Sequence, residues 1–525
     1  MKENDNKAGL RLLQKGKQSI FKMIFSRTGV ILALLAVQIL FLLAIFSWFH
    51  DFLPHIYGGV IVFTLFMVLY ILNCSMNASA KISWLVLVML MPIFGALLFL
   101  YTQQEVGHRA LKKRTAQMIE SSKDLLPQRT EDWEALCKEN PGAASLARYT
   151  ARSGAHPVWQ NTQVQYFPLG ETMYEEMLAR IEKAQSFIFM EYFILEEGVM
   201  WGRMLDLLAK KVQQGVEVRF LYDGTNELST LPHNYPEMLK KLGIQCKMFA
   251  PVTPFVSTHY NYRDHRKIMV IDGHTAFNGG INIADEYINE VVRYGHWKDT
   301  GVMLQGDAAR SFTMMFLQMW NLDEKEPIFE PFVNVSIPSH PQAYGFVMPY
   351  GDCPVDDDKT GEHVYIDLLN RAHDYVYITT PYLIIDGEME DALKFAAERG
   401  VDVRLMLPGI CDHAFAHALA LTHYKSLLRS GVKVLEYTPG YVHAKMFIVD
   451  GREAVVGTIN LDYRSLYHHF ECATYMMETA CIPEILNDFL ETEKKCQEIT
   501  LNNLKEQPLK RRVLGFLAKA VAPLM

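Results

Sequence analysis

Two copies of one spaced set of chemically active residues stand out in this chain. Both follow the pattern H-x-K-x4-D-x6-G-[GT]-x-N, and the second begins 178 residues after the first. The first copy supplies His265, Lys267, Asp272 and Asn282, and the second supplies His443, Lys445, Asp450 and Asn460. A lone His-x-Lys pair is often accidental, whereas five fixed positions repeated in one frame are not. The repeat predicts one site with two imidazoles, two ammonium groups and two amides, where an imidazole can act as nucleophile, acid or base.

Each copy of the motif predicts a strand, a tight turn and a second short strand. The His and the Lys alternate, so both project from one face of a strand. The next residues, 268–271 and 446–449, are apolar and suit a strand buried on both faces. The Asp-Gly pairs that follow are typical of tight turns. We count Asp272 and Asp450 as candidate catalytic residues, and a role in the turn alone is the alternative.

The internal repeat extends beyond the motif. The strand-like segments 186–192 and 375–382 also correspond, and amphipathic helical stretches separate the strands of both copies. This alternation favours an α/β fold built from parallel β-α-β units. We therefore expect two α/β halves, at residues 160–330 and 340–500, joined by a proline-bearing linker. A site that needs both motifs belongs at the seam between the halves.

The duplicated motif resembles the hallmark of the phospholipase D superfamily, and the resemblance covers residues 160–500. The match departs only at Gly280 and Thr458, where Ser is common. The residues around the second motif and the apolar N-terminus look like those of bacterial cardiolipin synthases of the phospholipase D type. The resemblance implies two pseudo-symmetric α/β sandwich halves and no cofactor. It also implies transfer of a phosphatidyl group between two phosphatidylglycerol molecules, through a phosphohistidine, to give cardiolipin and glycerol.

The residue types of the motif fit chemistry at such a phosphodiester. The diester is anionic and repels nucleophiles, so catalysis needs cations around its oxygens. Lys267 and Lys445 supply fixed positive charge, and Asn282 and Asn460 supply amide donors to the non-bridging oxygens. No cluster of His, Cys and acidic residues has the spacing of a metal site. We therefore expect no metal and assign its usual role to the lysines.

Two acidic residues beyond the motifs, Asp299 and Glu471, are candidate partners of the histidines. The resemblance implies that each orients a histidine, across the seam. It also implies that His265 is the nucleophile and His443 the general acid. The two motifs are nearly symmetric, so the residues themselves do not choose between the histidines.

The N-terminal 105 residues contain three long apolar stretches, at 30–48, 56–72 and 82–101. Each is about long enough to cross a hydrocarbon core of ~30 Å as a helix rising ~1.5 Å per residue. We expect a transmembrane helical region here, and hence a multi-pass protein of the cell membrane. Residues 106–159 are expected to form a linker or helical segment.

Charge, cysteine usage and the family resemblance all bear on the side of the membrane. Basic residues after the third stretch favour a catalytic domain in the cytoplasm, as the resemblance also implies, and the eight cysteines, without a C-x-x-C pair, fit a reducing compartment. Basic residues also precede the first stretch, so three full spans do not satisfy both ends. Pro92 and Gly95 make a re-entrant third segment one alternative. The tail at 505–525 mixes cations with an apolar face, which is typical of an interfacial helix or of one packed on the catalytic body.

Several other functions use the same motifs or the same composition. A phospholipase D or another phosphatidyltransferase, such as a phosphatidylserine synthase, would share this core. A non-catalytic lipid-binding membrane protein would not need both intact motifs. The net charge of −8 argues against a nucleic-acid partner. The sequence sets no oligomeric state.

Overall fold

The computed structural model describes most of the chain after its N-terminus. The described residues are 53–103, 106–232, 234–251, 262–340, 342–356 and 358–522, with residues 33, 35–41 and 43 before them. Most of the apolar stretch 30–48 therefore lies outside the described residues.

Among the residues described from 53 onward, six α-helices precede the first sheet. They are α1 (Leu53–Asn73), α2 (Ala78–Leu90), α3 (Pro92–Gln103), α4 (Val106–Ser122), α5 (Thr130–Glu139) and α6 (Pro141–Gly154). The stretch 56–72 lies within α1, whereas the stretch 82–101 is divided between α2 and α3, with the interruption at Met91. Pro92 disfavours helical backbone in the residue before it and begins a new helix. Gly95 then packs against the backbone of Leu87, so α2 and α3 fold onto each other.

The N-terminal helices form an apolar cluster of their own, which includes Met67, Trp84 and Phe99. In the part of the chain that is described, none of the helices combines the length and apolar character needed to cross a bilayer. The transmembrane region and its number of spans therefore stay predictions. Residues 106–159 are not an open linker, because α5 and α6 contribute buried side chains such as Leu136 and Leu146 to the core of the second half.

The first half is built on a seven-stranded sheet with the order β1-β9-β7-β6-β2-β3-β4. Its strands are β1 (Thr162–Phe167), β2 (Phe187–Tyr192), β3 (Glu217–Asp223), β4 (Gln245–Phe249), β5 (Arg263–Asp264), β6 (Lys267–Ile271), β7 (Thr275–Gly279), β8 (His296–Lys298) and β9 (Gly301–Gly306). Its helices are α7 (Gly170–Lys183), α8 (Val199–Gln213), α9 (Asn226–Ser229), α10 (Tyr235–Lys241), α11 (Ala309–Trp320) and α12 (Glu330–Val333).

The second half repeats this order strand for strand, as β10-β19-β17-β16-β11-β13-β14, and adds β20 at the edge. Its strands are β10 (Phe346–Asp352), β11 (Tyr375–Thr379), β12 (Leu383–Ile384), β13 (Asp402–Pro408), β14 (Lys433–Tyr437), β15 (Gly440–Val442), β16 (Met446–Val449), β17 (Glu453–Gly457), β18 (Leu461–Asp462), β19 (His469–Met477) and β20 (Cys496–Ile499). Its helices are α13 (Thr360–Arg371), α14 (Gly387–Glu398), α15 (Ala414–Arg429), α16 (Tyr463–Tyr467) and α17 (Ile482–Glu493), followed by α18 (Leu501–Lys505) and α19 (Leu509–Val521).

Each sheet is mixed, whereas the sequence led us to expect parallel units throughout. β2, β3 and β4 are parallel, as are β11, β13 and β14. The motif strands β6 and β16 pair antiparallel with their neighbours. The reason is the Asp-Gly turn after each motif strand, which is too short for a crossover and returns the chain as a hairpin. The α/β class and the two halves are confirmed.

A shared core and two short strand pairs join the halves. Val270 and Ala276 of the first sheet belong to the same buried cluster as Ile448 and Val456 of the second. Across the seam, β5 pairs with β19 and β8 pairs with β15, both in parallel. These two pairs lie directly before the two motif histidines and therefore fix their positions.

The C-terminal helix α19 packs on α15 through small residues. Gly515 lies against the carbonyl of Ala418, where a Cβ would collide, and Ala518 is buried. Phe516 and Leu517 point outward and are 78% and 60% exposed. Both expectations for the tail therefore describe part of it, since one face packs on the body and the other is apolar and exposed.

Candidate active site

The motif histidine of the first half is held by the second half. Nδ1 of His265 lies 2.9 Å and 3.0 Å from the two carboxylate oxygens of Glu471. The backbone N–H of His265 donates to the carbonyl of Phe470 at 2.9 Å. Main chain and ring thus bond to consecutive residues of β19. A carboxylate next to Nδ1 holds the proton there and leaves the lone pair on Nε2 for chemistry.

The motif histidine of the second half is held by the first half in the same way. Nδ1 of His443 donates to Oδ2 of Asp299 at 2.6 Å, and its backbone N–H donates to the carbonyl of Lys298 at 2.7 Å. Both contacts come from the end of β8, which pairs with β15, and from the residue directly after it. Each histidine therefore takes its acid from the opposite half, so the site is complete only when both halves are assembled.

The two motif lysines are buried beside the histidines. Nζ of Lys267 donates to the carbonyl of His265 at 2.5 Å. Nζ of Lys445 lies 2.8 Å from Nδ1 and 2.9 Å from Nε2 of His443, and also donates to the carbonyl of that residue. Burial lowers the pKa of Lys267 to about 8 and that of Lys445 to about 7. Removal from water disfavours an ammonium group, and an anionic substrate would compensate for it.

The pKa values of both motif imidazoles are lowered, which favours their neutral forms. Burial and the positive charge of Lys445 lower the pKa of His443 to about 4, although Asp299 opposes this shift. Burial, followed by Lys267, lowers the pKa of His265 well below its usual value. Lys445 also lowers the pKa of His265, as Lys267 lowers that of His443, which places all four groups within one electrostatic neighbourhood.

The pKa values of the two orienting acids are shifted in opposite directions. Burial alone would raise the pKa of Asp299, but His443 and Lys445 outweigh it and hold the pKa below its ordinary value. Burial raises the pKa of Glu471 well above its ordinary value, although Lys267 opposes this. The two halves are therefore electrostatically unequal despite the repeated motif.

One pair of equivalent positions surrounds the two acids differently. Thr458 donates its hydroxyl to Oε2 of Glu471. The equivalent Gly280 has no side chain, and a Cβ there would collide with the carboxylate of Asp299. Glycine at position 280 thus makes room for Asp299, and Thr458 gives Glu471 an additional donor. These two positions are the ones that depart from the usual Ser.

The asparagines of the motifs are buried at the site. Oδ1 of Asn282 accepts from the backbone N–H of Ile194 at 3.0 Å, and its Nδ2 donates to the Tyr287 hydroxyl at 2.7 Å. One N–H of this amide is left for a ligand, because the group carries two. Asn460 is also buried, and its Oδ1 has no hydrogen-bond partner among the described residues.

The structure does not bring Asp272 and Asp450 to the histidines. Asp272 accepts from the backbone N–H groups of residues 185, 186 and 187, and Asp450 accepts from those of residues 373, 374 and 375. Asp272 also follows the far end of β6, roughly 15 Å from Lys267 at ~3.3 Å per residue. Both have positive φ, 53° and 50°, as the turn requires. These contacts favour the alternative role, in which both aspartates fix the turn and the start of a neighbouring strand, and a catalytic role stays an untested prediction.

Aromatic side chains line the histidines. The Trp297 ring lies 5.5 Å from that of His443, and the Tyr287 ring lies 5.3 Å from it. The Phe193 ring lies 4.9 Å from that of His265. No spacing rule points to Phe193 or Tyr287, because both lie outside the motifs.

A third histidine of the site was also missed. The His469 ring lies 5.3 Å from that of His265, with Nδ1 3.6 Å from Glu471 Oε1. The sequence did contain a signal, since His469 precedes Glu471 by two positions on β19 and therefore projects from the same face.

The chain matches the family described as "Cardiolipin synthase, PLD-like domain" over residues 177–320 and 365–492, which are the two halves. The chain belongs to this family. Residues 62–102 match the family described as "Phospholipase_D-nuclease N-terminal". The membership confirms the resemblance drawn from the duplicated motif.

Relatives of this family match over most of the chain. The protein called "Cardiolipin synthase" of Alkalihalophilus pseudofirmus is 30% identical over 89% of this chain and 93% of its own length. "Cardiolipin synthase 2" of Bacillus anthracis is 30% identical, with coverage of 86% and 87%. A protein of Streptococcus mutans, described as uncharacterized, is 52% identical over 87% of this chain and 99% of its own length.

One solved structure supports the fold. The phosphatidylserine synthase of Haemophilus influenzae superposes with a TM-score of 0.53 at 14% identity, covering 69% of this chain and 95% of that protein. At this identity the likeness concerns the fold alone.

Proposed function

We propose that this protein is a cardiolipin synthase that transfers a phosphatidyl group between two phosphatidylglycerol molecules and releases glycerol. The observation that carries the proposal is the pair of crossed contacts, His265 with Glu471 and His443 with Asp299, at 2.9 Å and 2.6 Å. Two oriented imidazoles allow one to attack phosphorus while the other handles the proton of the alcohol.

The first half-reaction breaks one phosphodiester bond. Nε2 of His265 attacks the phosphorus of the first phosphatidylglycerol, and the bond from phosphorus to the glycerol oxygen breaks. His443 donates a proton to that oxygen, so that free glycerol leaves. Although burial and Lys445 lower the pKa of His443 to about 4, the negative charge of the bound diester favours the protonated imidazole. Lys267 and Lys445 neutralise the non-bridging oxygens.

The second half-reaction reverses the proton transfer. His443, now neutral, removes the proton from a free glycerol hydroxyl of the second phosphatidylglycerol. The resulting oxygen attacks the phosphohistidine, the bond from phosphorus to Nε2 breaks, and cardiolipin is released. One diester replaces another, so the exchange is close to energy-neutral and needs no nucleotide. No cofactor enters either step, and the lysine charges serve where other phosphoryl-transfer sites use a metal.

We also propose that the protein is attached to the cell membrane through its N-terminal helices, with the catalytic halves in the cytoplasm. Large apolar side chains on these helices point outward, including Phe66 on α1, 63% exposed, and Leu90 on α2, 77% exposed. Exposed apolar surface of this extent is costly in water and favourable in lipid. The multi-pass arrangement remains part of this proposal.

The exposed face of α19 belongs to the same membrane contact. Lys519 of this helix and Ile82 and Val86 of α2 line one cavity, so the two helices lie on the same side of the body. The exposed apolar residues of α19 are flanked by Lys510, Arg511 and Arg512, and this combination favours an anionic lipid surface.

Incubation of the purified protein with phosphatidylglycerol alone, in detergent, tests the reaction. The proposal predicts cardiolipin and glycerol in equal amounts, measured by mass spectrometry of the lipids and an assay for glycerol. Phosphatidic acid as the main product would identify a phospholipase instead. Turnover only after a different alcohol is added, such as serine, would identify another phosphatidyltransferase.

A further inference from the structure

His469 is buried at the site without a hydrogen-bonding partner. Its side chain is 8% exposed, and neither ring nitrogen makes a hydrogen bond within the part of the chain that the structure describes. Buried polar groups are nearly always satisfied, so an unpartnered imidazole of this kind indicates an unmet ligand. The catalytic scheme above does not use this residue.

The unpartnered ring faces two further ligand atoms. Nitrogen atoms of His265 and His469 and an oxygen atom of Glu471 all lie within 4.8 Å of one another. Oε1 of Glu471 is 2.9 Å from Nδ1 of His265 and 3.6 Å from Nδ1 of His469. In a tetrahedral zinc site with bonds of about 2.1 Å, two ligand atoms lie roughly 3.4 Å apart, between these two distances.

We propose that His265, His469 and Glu471 form a binding site for Zn²⁺ that inhibits the enzyme. Two imidazoles and one carboxylate are a common ligand set for this ion, and a fourth position is left for water. The ion takes the place of the proton between His265 and Glu471. It therefore withdraws electron density from the ring whose Nε2 must attack phosphorus, and it holds Glu471 away from its orienting role. The inhibition, although not the binding, rests on the proposed function.

The positive charge of Lys267, beside the three proposed ligands, opposes the binding of Zn²⁺. The site is therefore suited to a reversible inhibitory ion rather than to a permanently held structural one. The charge of the ion also draws the substrate phosphate away from the lysines. Activity should consequently fall as zinc is added and return when a chelator removes it.

Direct binding is the first test. Purified full-length protein in detergent is dialysed against Zn²⁺, and the zinc bound per chain is measured for the wild type, His469→Asn and His423→Asn. His423 and Glu390 form the control pair, whose geometry matches because Nδ1 of His423 lies 2.8 Å from Oε2 of Glu390. Among the described residues, this pair belongs to no group of three possible metal ligands.

Wild type and His423→Asn should bind one zinc ion more per chain than His469→Asn. The affinity at this site should fall at least as far as the roughly 10- to 100-fold loss that follows removal of an outer-shell partner. Equal zinc binding by wild type and His469→Asn would overturn the proposal, as would a wild type that binds no zinc.

Two further measurements keep the test decisive. In the first, wild-type protein is loaded with Co²⁺, so that no variant is needed. We expect the strong visible absorption of a tetrahedral Co²⁺ ion. The weak absorption bands of an octahedral ion alone would contradict the site. In the activity assay, Zn²⁺ should inhibit wild type and His423→Asn, and EDTA should restore both; activation by zinc would overturn the inhibitory role. If wild type makes no cardiolipin even with EDTA, the proposed function fails while the binding result stands.

Discussion

His443 of the second half and Asp299 of the first half share a hydrogen bond of 2.6 Å across the seam. In the equivalent pair the first half supplies the histidine and the second half supplies the acid, and Nδ1 of His265 lies 2.9 Å from Oε1 of Glu471. Neither half alone holds a histidine together with its acid, which gives a physical reason why the motif is found twice in one chain.

Replacement of the crossed acid tests this arrangement. Asp299→Asn should lower turnover by about 10²- to 10⁴-fold, because the amide no longer stabilises a protonated His443 or fixes its tautomer. The loss should appear in kcat more than in KM, measured as cardiolipin formed per folded molecule. The matched control is Asp307→Asn, which changes a buried acid of the same half that pairs with Arg129 and Arg310 instead. An equal loss in both variants would contradict a specific role for Asp299.

The motif aspartates should matter for stability rather than for chemistry. Asp272→Ala removes an acceptor of three backbone N–H groups and should reduce the free energy of unfolding by about 1–3 kcal/mol. Asp450→Ala should behave alike. Thermal unfolding and activity per folded molecule separate the two effects. Unchanged stability together with lost turnover would show that these residues act in catalysis after all.

These aspartates mark the limit of the sequence analysis. The duplication, the two halves and the apolar strand that follows each motif histidine are predicted by residue periodicity, which the chain displays directly. The role of Asp272 is not, because the same Asp-Gly pair satisfies both a turn and a catalytic pattern. The three backbone N–H groups that donate to Asp272 lie far from the histidines, and they favour the turn over a catalytic role.

The rest of the site depends on contacts between residues far apart in the chain. The antiparallel neighbours of the motif strands follow from short turns, but the pairing of β5 with β19 follows from how the halves pack. His469 lies beside His265 for the same reason, whereas Phe193 follows β2, which pairs with the motif strand β6 within one half. Residues 82–101 form one apolar stretch in the sequence. The structure nevertheless divides this stretch between two helices, because Pro92 disfavours helical backbone in the residue before it.

The lowered pKa values of the lysines predict an alkaline limit to activity. A lysine is charged below its pKa, and the pKa values of Lys445 and Lys267 are about 7 and about 8. The ammonium groups needed for substrate binding are therefore lost as the pH rises through this window, and kcat/KM should decline above about pH 7–8. Lys445→Arg keeps its charge at every pH in this range, so any activity it retains should decline less. A flat profile up to pH 10 in the wild type would contradict the assignment.

Removal of residues 1–105 should leave a folded and active body. The apolar cluster of the N-terminal helices is separate from the cores of the two halves. The truncated protein should turn over phosphatidylglycerol in mixed micelles and lose activity mainly on vesicles, where attachment raises the local substrate concentration. Charge reversal at Lys510, Arg511 and Arg512 should then release it from anionic vesicles in a flotation assay. A folded truncation that is inert in lipid-saturated micelles would show that the N-terminal helices build part of the site.

The central claim is that His265 carries the phosphatidyl group while His443 moves the proton. His265→Ala and His443→Ala should each abolish cardiolipin synthesis, and the most direct measurement is covalent lipid phosphate on each purified variant after incubation with phosphatidylglycerol. The account predicts acid-labile phosphate on His443→Ala at residue 265, found by mass spectrometry, and none on His265→Ala. The reverse pattern would exchange the roles of the two histidines, and cardiolipin synthesis by His265→Ala would contradict the phosphohistidine mechanism.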